Sequence, residues 1–199
     1  MRSDRVKHWL ASPEYTHLVD TCVLAHANLE APRRLLSRKV ATRCVAIARQ
    51  LGLDEEQIVH LELAARVHRV GELYLHDSLR KKSFLDLSSV EMKAYRQYPV
   101  FSAFRLSDDA RQICDVILKH REYSSGDGFL QNDADAKVPL SARILCAVTE
   151  YEELMMYRGI TLELQDAIQR RMLKNHIGRY DPQVIRASMC SIVEENILH

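Results

Sequence analysis

An all-α fold follows from three features of the 199-residue sequence. Apolar residues recur mainly at three- and four-residue intervals, few glycines and prolines interrupt them, and capping residues stand where the periodic runs begin. With 47% apolar and 28% charged residues, the chain has the composition of a packed globular domain and not of a disordered one. Its length suits one core. The reading is a single helical bundle of about seven or more helices, with residues 1–31 as an N-terminal helical segment packing on a domain formed by residues 32–199.

The residues ahead of Pro32 read as one or two helices, and no linker or receiver-like segment is expected there. Val40, Cys44, Ile47, Ala48 and Leu51 share one helix face, which Gly52 ends. Asp54 caps the next helix and Gln57 completes a capping box; this helix runs through Leu61, Ala64 and Ala65 to His68. Ser88 and Glu91 repeat the pattern before Met92 and Tyr95. Ser107, Asp108 and Asp109 suit the positive start of a helix that leads to His120. Leu140, Ile144, Ala147, Val148, Tyr151 and Leu154 outline a long buried face. Asp181-Pro182 caps the last helix, which carries Val184, Ala187, Ile192 and Val193. Between Tyr123 and Val138 lies one long irregular segment.

Charge and cysteines narrow the function classes. A formal net charge of +1 gives no global field to draw nucleic acid or anionic lipid. The short basic stretches Arg33-Arg34, Arg38-Lys39, Arg80-Lys81-Lys82 and Arg170-Arg171 read as solvated helix faces. With no apolar run of membrane-spanning length and no signal-peptide core, the expectation is a cytoplasmic protein with neither membrane nor nucleic-acid partner. Cys22, Cys44, Cys114, Cys146 and Cys190 form no C-x-x-C pair and read as buried thiols.

His68 and His120 each end an apolar helix, so two imidazoles can converge at one end of a bundle. A hydrolytic metal site commonly needs three or more protein ligands with carboxylates among them. Here Arg69 follows His68, and a guanidinium has no lone pair to donate and repels a cation. A lone helical histidine is more often structural than ligating. The glycines of Gly126-Asp127-Gly128-Phe129 can expose amides to an anion, or simply form a turn.

Five ordered blocks resemble the HD-GYP family of cyclic di-GMP phosphodiesterases. The H-x-x-R-V opening aligns with Leu36-Ser37-Arg38-Lys39-Val40, and the A-x-x-H-D-I-G-K-I-x-I-P-D block with Ala65 to Asp77. The E-x-x-M-K-x-H-P block aligns, with one shift of spacing, with Glu91 to Pro99. The H-H-E-x-x-D-G-x-G-Y-P signature aligns with His120 to Leu130, and I-P-L-x-A-R-I-L with Val138 to Leu145; Asp181-Pro182-Gln183-Val184 matches the closing D-P-x-V.

The resemblance implies a helical HD fold and also marks the departures. The family's opening histidine is Leu36, its HD aspartate Arg69, its lysine Glu72, its H-P histidine Tyr98 and its second signature histidine Arg121. Thr149 stands for the first aspartate of A-D-x-x-D-A, so only His68 and His120 match the metal ligands. The expectation is a vestigial site of His68, Arg69, Glu72, Tyr98, His120, Arg121, Glu122 and Thr149, without metal, cofactor or catalytic residue. Its arginines would pair with Glu72, Glu122 or Glu150. A loop of Gly126, Asp127, Gly128, Phe129 and Leu130 would serve a ligand or partner. The function implied is an inactive signalling domain that contacts a protein, such as a diguanylate cyclase or another signalling domain. A homodimer through the N-terminal helix or the Phe129 loop is also envisaged. Two alternatives are a metal-free cyclic dinucleotide sensor using Arg69, Arg121 and the loop, and a residual cyclic di-GMP phosphodiesterase.

Overall fold

The computed structural model describes residues 10–106, 110–123, 128–129, 138–158, 167–168, 170–172, 174 and 179–188. Among them all regular structure is helical. Helix α1 spans Pro13–Ala27, α2 Ala31–Gln50, α3 Glu55–Val67, α4 Asp77–Arg80, α5 Ser89–Tyr95, α6 Tyr98–Leu106, α7 Arg111–Lys119 and α8 Leu140–Arg158. Residues 182–188 form a further helix.

Helix α2 is the spine. Val40, Ala41, Cys44, Ile47 and Ala48 are fully buried on it, and it packs against α3 and α8. Gly52, at φ +73°, closes α2 in the left-handed conformation that glycine adopts without a Cβ penalty. Its amide reaches the Arg49 carbonyl at 3.1 Å and the Leu53 amide reaches that of Ala48 at 3.0 Å, the double bond of a Schellman end.

Both capping boxes form. Asp54 accepts from the Gln57 amide while Gln57 accepts from the Asp54 amide, and Ser88 and Glu91 do the same. Asp181 Oδ1 accepts from the Gln183 amide at 2.8 Å, with Pro182 at the first helical position. The expected cap at Ser107, Asp108 and Asp109 lies outside the described residues, as do Cys190, Ile192 and Val193. Cys22, Cys44, Cys114 and Cys146 are free thiols; Cys114 is half-buried and the others are buried.

A second, smaller cluster of Leu75, Leu79, Tyr95 and Tyr98 packs beside the main core. Among the described residues no helix is long and apolar enough to cross a membrane.

Candidate functional site

The same local device is used twice. Helix α3 ends at Val67 with His68 as its C-cap, and the His68 Nδ1 lies 2.7 Å from the Ala65 carbonyl. Helix α7 ends at Lys119 with His120 as its C-cap, and the His120 Nδ1 lies 2.5 Å from the Ile117 carbonyl. Each Nδ1–H therefore donates to a carbonyl left free by the helix end, which leaves Nε2 as an acceptor. The two rings meet edge to face, 5.2 Å between centroids. Tyr98 Oη is 2.9 Å from His120 Nε2, and Thr149 Oγ1 is 3.4 Å from His68 Nε2.

Helix α6 clamps the His68 corner. Ser102 Oγ donates to the His68 carbonyl at 2.7 Å and accepts from the Gly71 amide at 2.8 Å. A Cβ on Gly71 would fall 2.1 Å from the Tyr98 carbonyl oxygen, so only glycine permits this approach.

An arginine follows each histidine, and both turn inward. Arg69 bonds Glu153 through Nη1, and Glu72 through Nη2, which also lies 3.0 Å from Tyr95 Oη. Arg121 bonds Glu153 Oε1 at 2.7 Å and donates from Nε to Tyr98 Oη at 2.8 Å, with Glu150 3.3 Å away. One carboxylate oxygen of Glu153 thus joins both guanidiniums. Arg69 and Glu153 are 0% exposed and Arg121 is 2% exposed. Arg33 reaches Glu72 at 3.4 Å from α2, and Tyr123, Tyr180 and Arg179 bond Glu150 from the other side.

Electrostatics follow from burial and pairing. Burial opposes the charge on Arg69, but Glu72, Tyr95 and Glu153 outweigh it and keep the guanidinium charged. Burial likewise opposes the charge on Arg121, where Glu153 is the leading stabiliser. For Glu153 burial alone would raise the pKa; Arg121 and Arg69 instead bring it down to about 2. Burial, then Arg121, lowers His120 to about 3; burial, His120 and Arg69 hold His68 well below the usual imidazole range. The cluster is two neutral imidazoles beside a carboxylate-bridged pair of cations.

The structure brings together His68, Arg69, Glu72, Tyr98, His120, Arg121 and Thr149. Gly126, Asp127 and Leu130 lie outside the described residues, and Glu122 is half-buried. The described carboxylate partners of Arg121 are Glu150 and Glu153, where sequence reasoning also offered Glu122. Phe129 turns inward: its amide bonds the Arg121 carbonyl at 3.0 Å, and its ring packs near Tyr95 and Tyr98 with the Arg121 guanidinium 5.3 Å away. It covers the cluster. Gly128 permits this, since a Cβ there would fall 2.6 Å from the Arg121 carbonyl.

Sequence reasoning missed Glu153, Tyr95, Arg33 and Arg179. Glu153 carried a signal. In the A-D-x-x-D-A alignment that the resemblance suggests, with Thr149 at an aspartate, position 153 falls on an alanine, so an acid there stands out in the sequence.

A family model described as HD domain matches residues 23–184, which take in α2 to α8 and both histidine corners. The chain belongs to the HD domain family. Among relatives of this HD domain, the cyclic di-GMP phosphodiesterase response regulator RpfG of Xanthomonas campestris is 29% identical over 116 residues, covering 56% of this chain and 30% of that protein. The cyclic di-GMP phosphodiesterase PA4108 of Pseudomonas aeruginosa is 29% identical over 152 residues, covering 74% of this chain and 36% of that protein. The HD domain therefore spans about a third of the length of these relatives. Bd1817, an HDG"Y"P protein from Bdellovibrio bacteriovorus, shares the fold with a TM-score of 0.68 at 18% identity, over 81% of this chain and 52% of that one. Among the described residues of this HD domain, no group of three or more His, Cys, Asp or Glu side chains is arranged to hold a metal ion.

Proposed function

We propose that this HD domain is a cytoplasmic regulatory module of cyclic di-GMP-type signalling that contacts a protein partner and does not hydrolyse cyclic dinucleotides. The observation that carries this reading is Glu153 bonded at once to Arg69 and Arg121 beside the His68–His120 pair. The family's metals do not fit this donor set. At an effective dielectric of about 20, a divalent ion about 4 Å from one guanidinium is repelled by about 8 kcal/mol. The carboxylate that would offset this already bridges two cations, and the His120 lone pair faces the Tyr98 hydroxyl. Without metal no hydroxide nucleophile forms near neutral pH.

The names of the relatives support the signalling context, and a diguanylate cyclase or another signalling domain remains the kind of partner proposed. Exposed Val23 and Leu24 on α1 and Leu35 on α2 supply apolar surface for a partner or a second copy. Phe129, turned inward, is not part of that surface. The sensor alternative is not favoured, because the guanidiniums of Arg69 and Arg121 are buried and engaged by carboxylates.

The test is turnover. Incubated with cyclic di-GMP and excess manganese or ferrous iron, the protein is expected to give no linear dinucleotide above the protein-free control. Metal-dependent product that disappears in His68→Ala would overturn the reading.

A further inference from the structure

A second feature lies on the far side of Glu150, outside the histidine pair. A cavity of about 250 Å³ opens between the turn at Phe84, helix α8 and the segment carrying Ile168 and Met172. Its lining includes apolar Leu154, Ile168, Met172 and Phe84 together with the cations Arg171 and Arg179. Ile168 and Met172 are buried, and Arg171 is exposed.

Charge among the described lining residues is unbalanced. Among the described lining residues Glu150 is the one carboxylate, set against two guanidiniums. Its oxygens already receive Tyr123, Tyr180 and Arg179, with Arg121 3.3 Å away. Among the described residues that line it, guanidiniums outnumber carboxylates by one. Arg179 lies 4.2 Å over the Tyr123 ring and uses Nη2 for Glu150 and for Tyr123 Oη, while its buried Nε has no hydrogen-bond partner among the described residues. An apolar hollow with a surplus of fixed cations selects for ligands that are apolar at one end and anionic at the other.

We propose that this cavity binds a small amphiphilic anion, its apolar body against Leu154, Ile168 and Met172 and its carboxylate or phosphate head on Arg171 and Arg179. The volume is below the roughly 300 Å³ where drug-sized ligand pockets begin, so the ligand is about one aromatic ring with one acidic group and not a dinucleotide. Arg179 also bonds Glu150, which neighbours Arg121, so an anion drawing on Arg179 acts directly on the buried ion network. The inference does not depend on whether the domain hydrolyses anything, because none of these contacts involves His68 or His120.

Calorimetry at low salt tests it with three probes: phenyl phosphate, phenylacetate and neutral 2-phenylethanol. Saturable millimolar or tighter binding is expected for at least one anion, and the stronger of the two identifies the head group. The neutral probe should bind at least about tenfold more weakly. Arg171→Gln and Leu85→Glu change exposed positions at the rim, so both should fold, and each should weaken anion binding by about fivefold or more. Absence of saturation by either anion up to about 10 mM, or equal affinity in the wild type and both variants, would overturn the proposal.

Discussion

Glu153→Ala is expected to lower the free energy of unfolding by about 3–5 kcal/mol, read from urea denaturation at neutral pH. Removing one partner of a buried ion pair leaves the other charge uncompensated, and here a single carboxylate oxygen serves two guanidiniums. Arg69 would keep Glu72, and Arg121 would keep Glu150 at 3.3 Å, so some compensation survives. A domain with a total stability of about 5–15 kcal/mol would be left marginal. Replacing the triad together, as Arg69→Met, Arg121→Met and Glu153→Leu, should cost less than the single deletion, because no unpaired charge stays inside the triad. A Glu153→Ala loss below about 1 kcal/mol, the range of an exposed pair, would mean that the bridge does not hold this end of the bundle.

The second large effect is loss of stability in mild acid. His120 titrates near 3 in the fold and near 6.5 as an ordinary imidazole, its pKa lowered by burial and then by Arg121. Between those values the unfolded chain binds a proton that the folded chain refuses, so stability is full above about pH 6.5 and falls as the pH drops toward 3. The slope is about 1.4 kcal/mol per pH unit for each such group. His68 shifts in the same direction, from burial and from His120 and Arg69, which steepens the fall. Glu153, lowered from 4.5 to about 2, extends the loss below pH 4.5, since its stabilisation disappears as its folded pKa is crossed. Together these groups are expected to remove several kcal/mol between pH 7 and pH 4. His120→Gln should shed about one proton of the dependence. A flat stability profile from pH 7 to pH 5 would contradict the buried neutral pair.

What was legible in the sequence was local. Gly52, the Asp54–Gln57 and Ser88–Glu91 boxes and the Asp181-Pro182 start each act within a few residues, and all form as their chemistry dictates. That His68 and His120 each end an apolar helix was also readable, because helix periodicity fixes where each run stops; that the two ends meet was open in the sequence.

Pairing across the fold was not. Arg69 and Glu153 are 84 residues apart, and no periodicity names a partner at that distance. Sequence reasoning matched the arginines to acids near in the chain or next to a known motif position, which found Glu72 and Glu150 and passed over Glu153. Arg33 was read as part of a solvated face; instead its Nη2 bonds the Arg80 carbonyl at 2.7 Å and its Nε faces Glu72. A short basic stretch does not reveal which of its members turns inward. Phe129 was read as apolar and open to packing, a partner or a ligand; which aromatic surface it packs on was not legible, since Tyr95 and Tyr98 come from another part of the chain.

Metal content is the most direct test of the proposal that a site holding a carboxylate-bridged arginine pair retains no divalent ion. The protein would be produced with iron and manganese in excess and counted by elemental analysis after gel filtration. The predicted result is below about 0.1 ion per chain. Two tightly held ions per folded chain, released by His68→Ala, would contradict it.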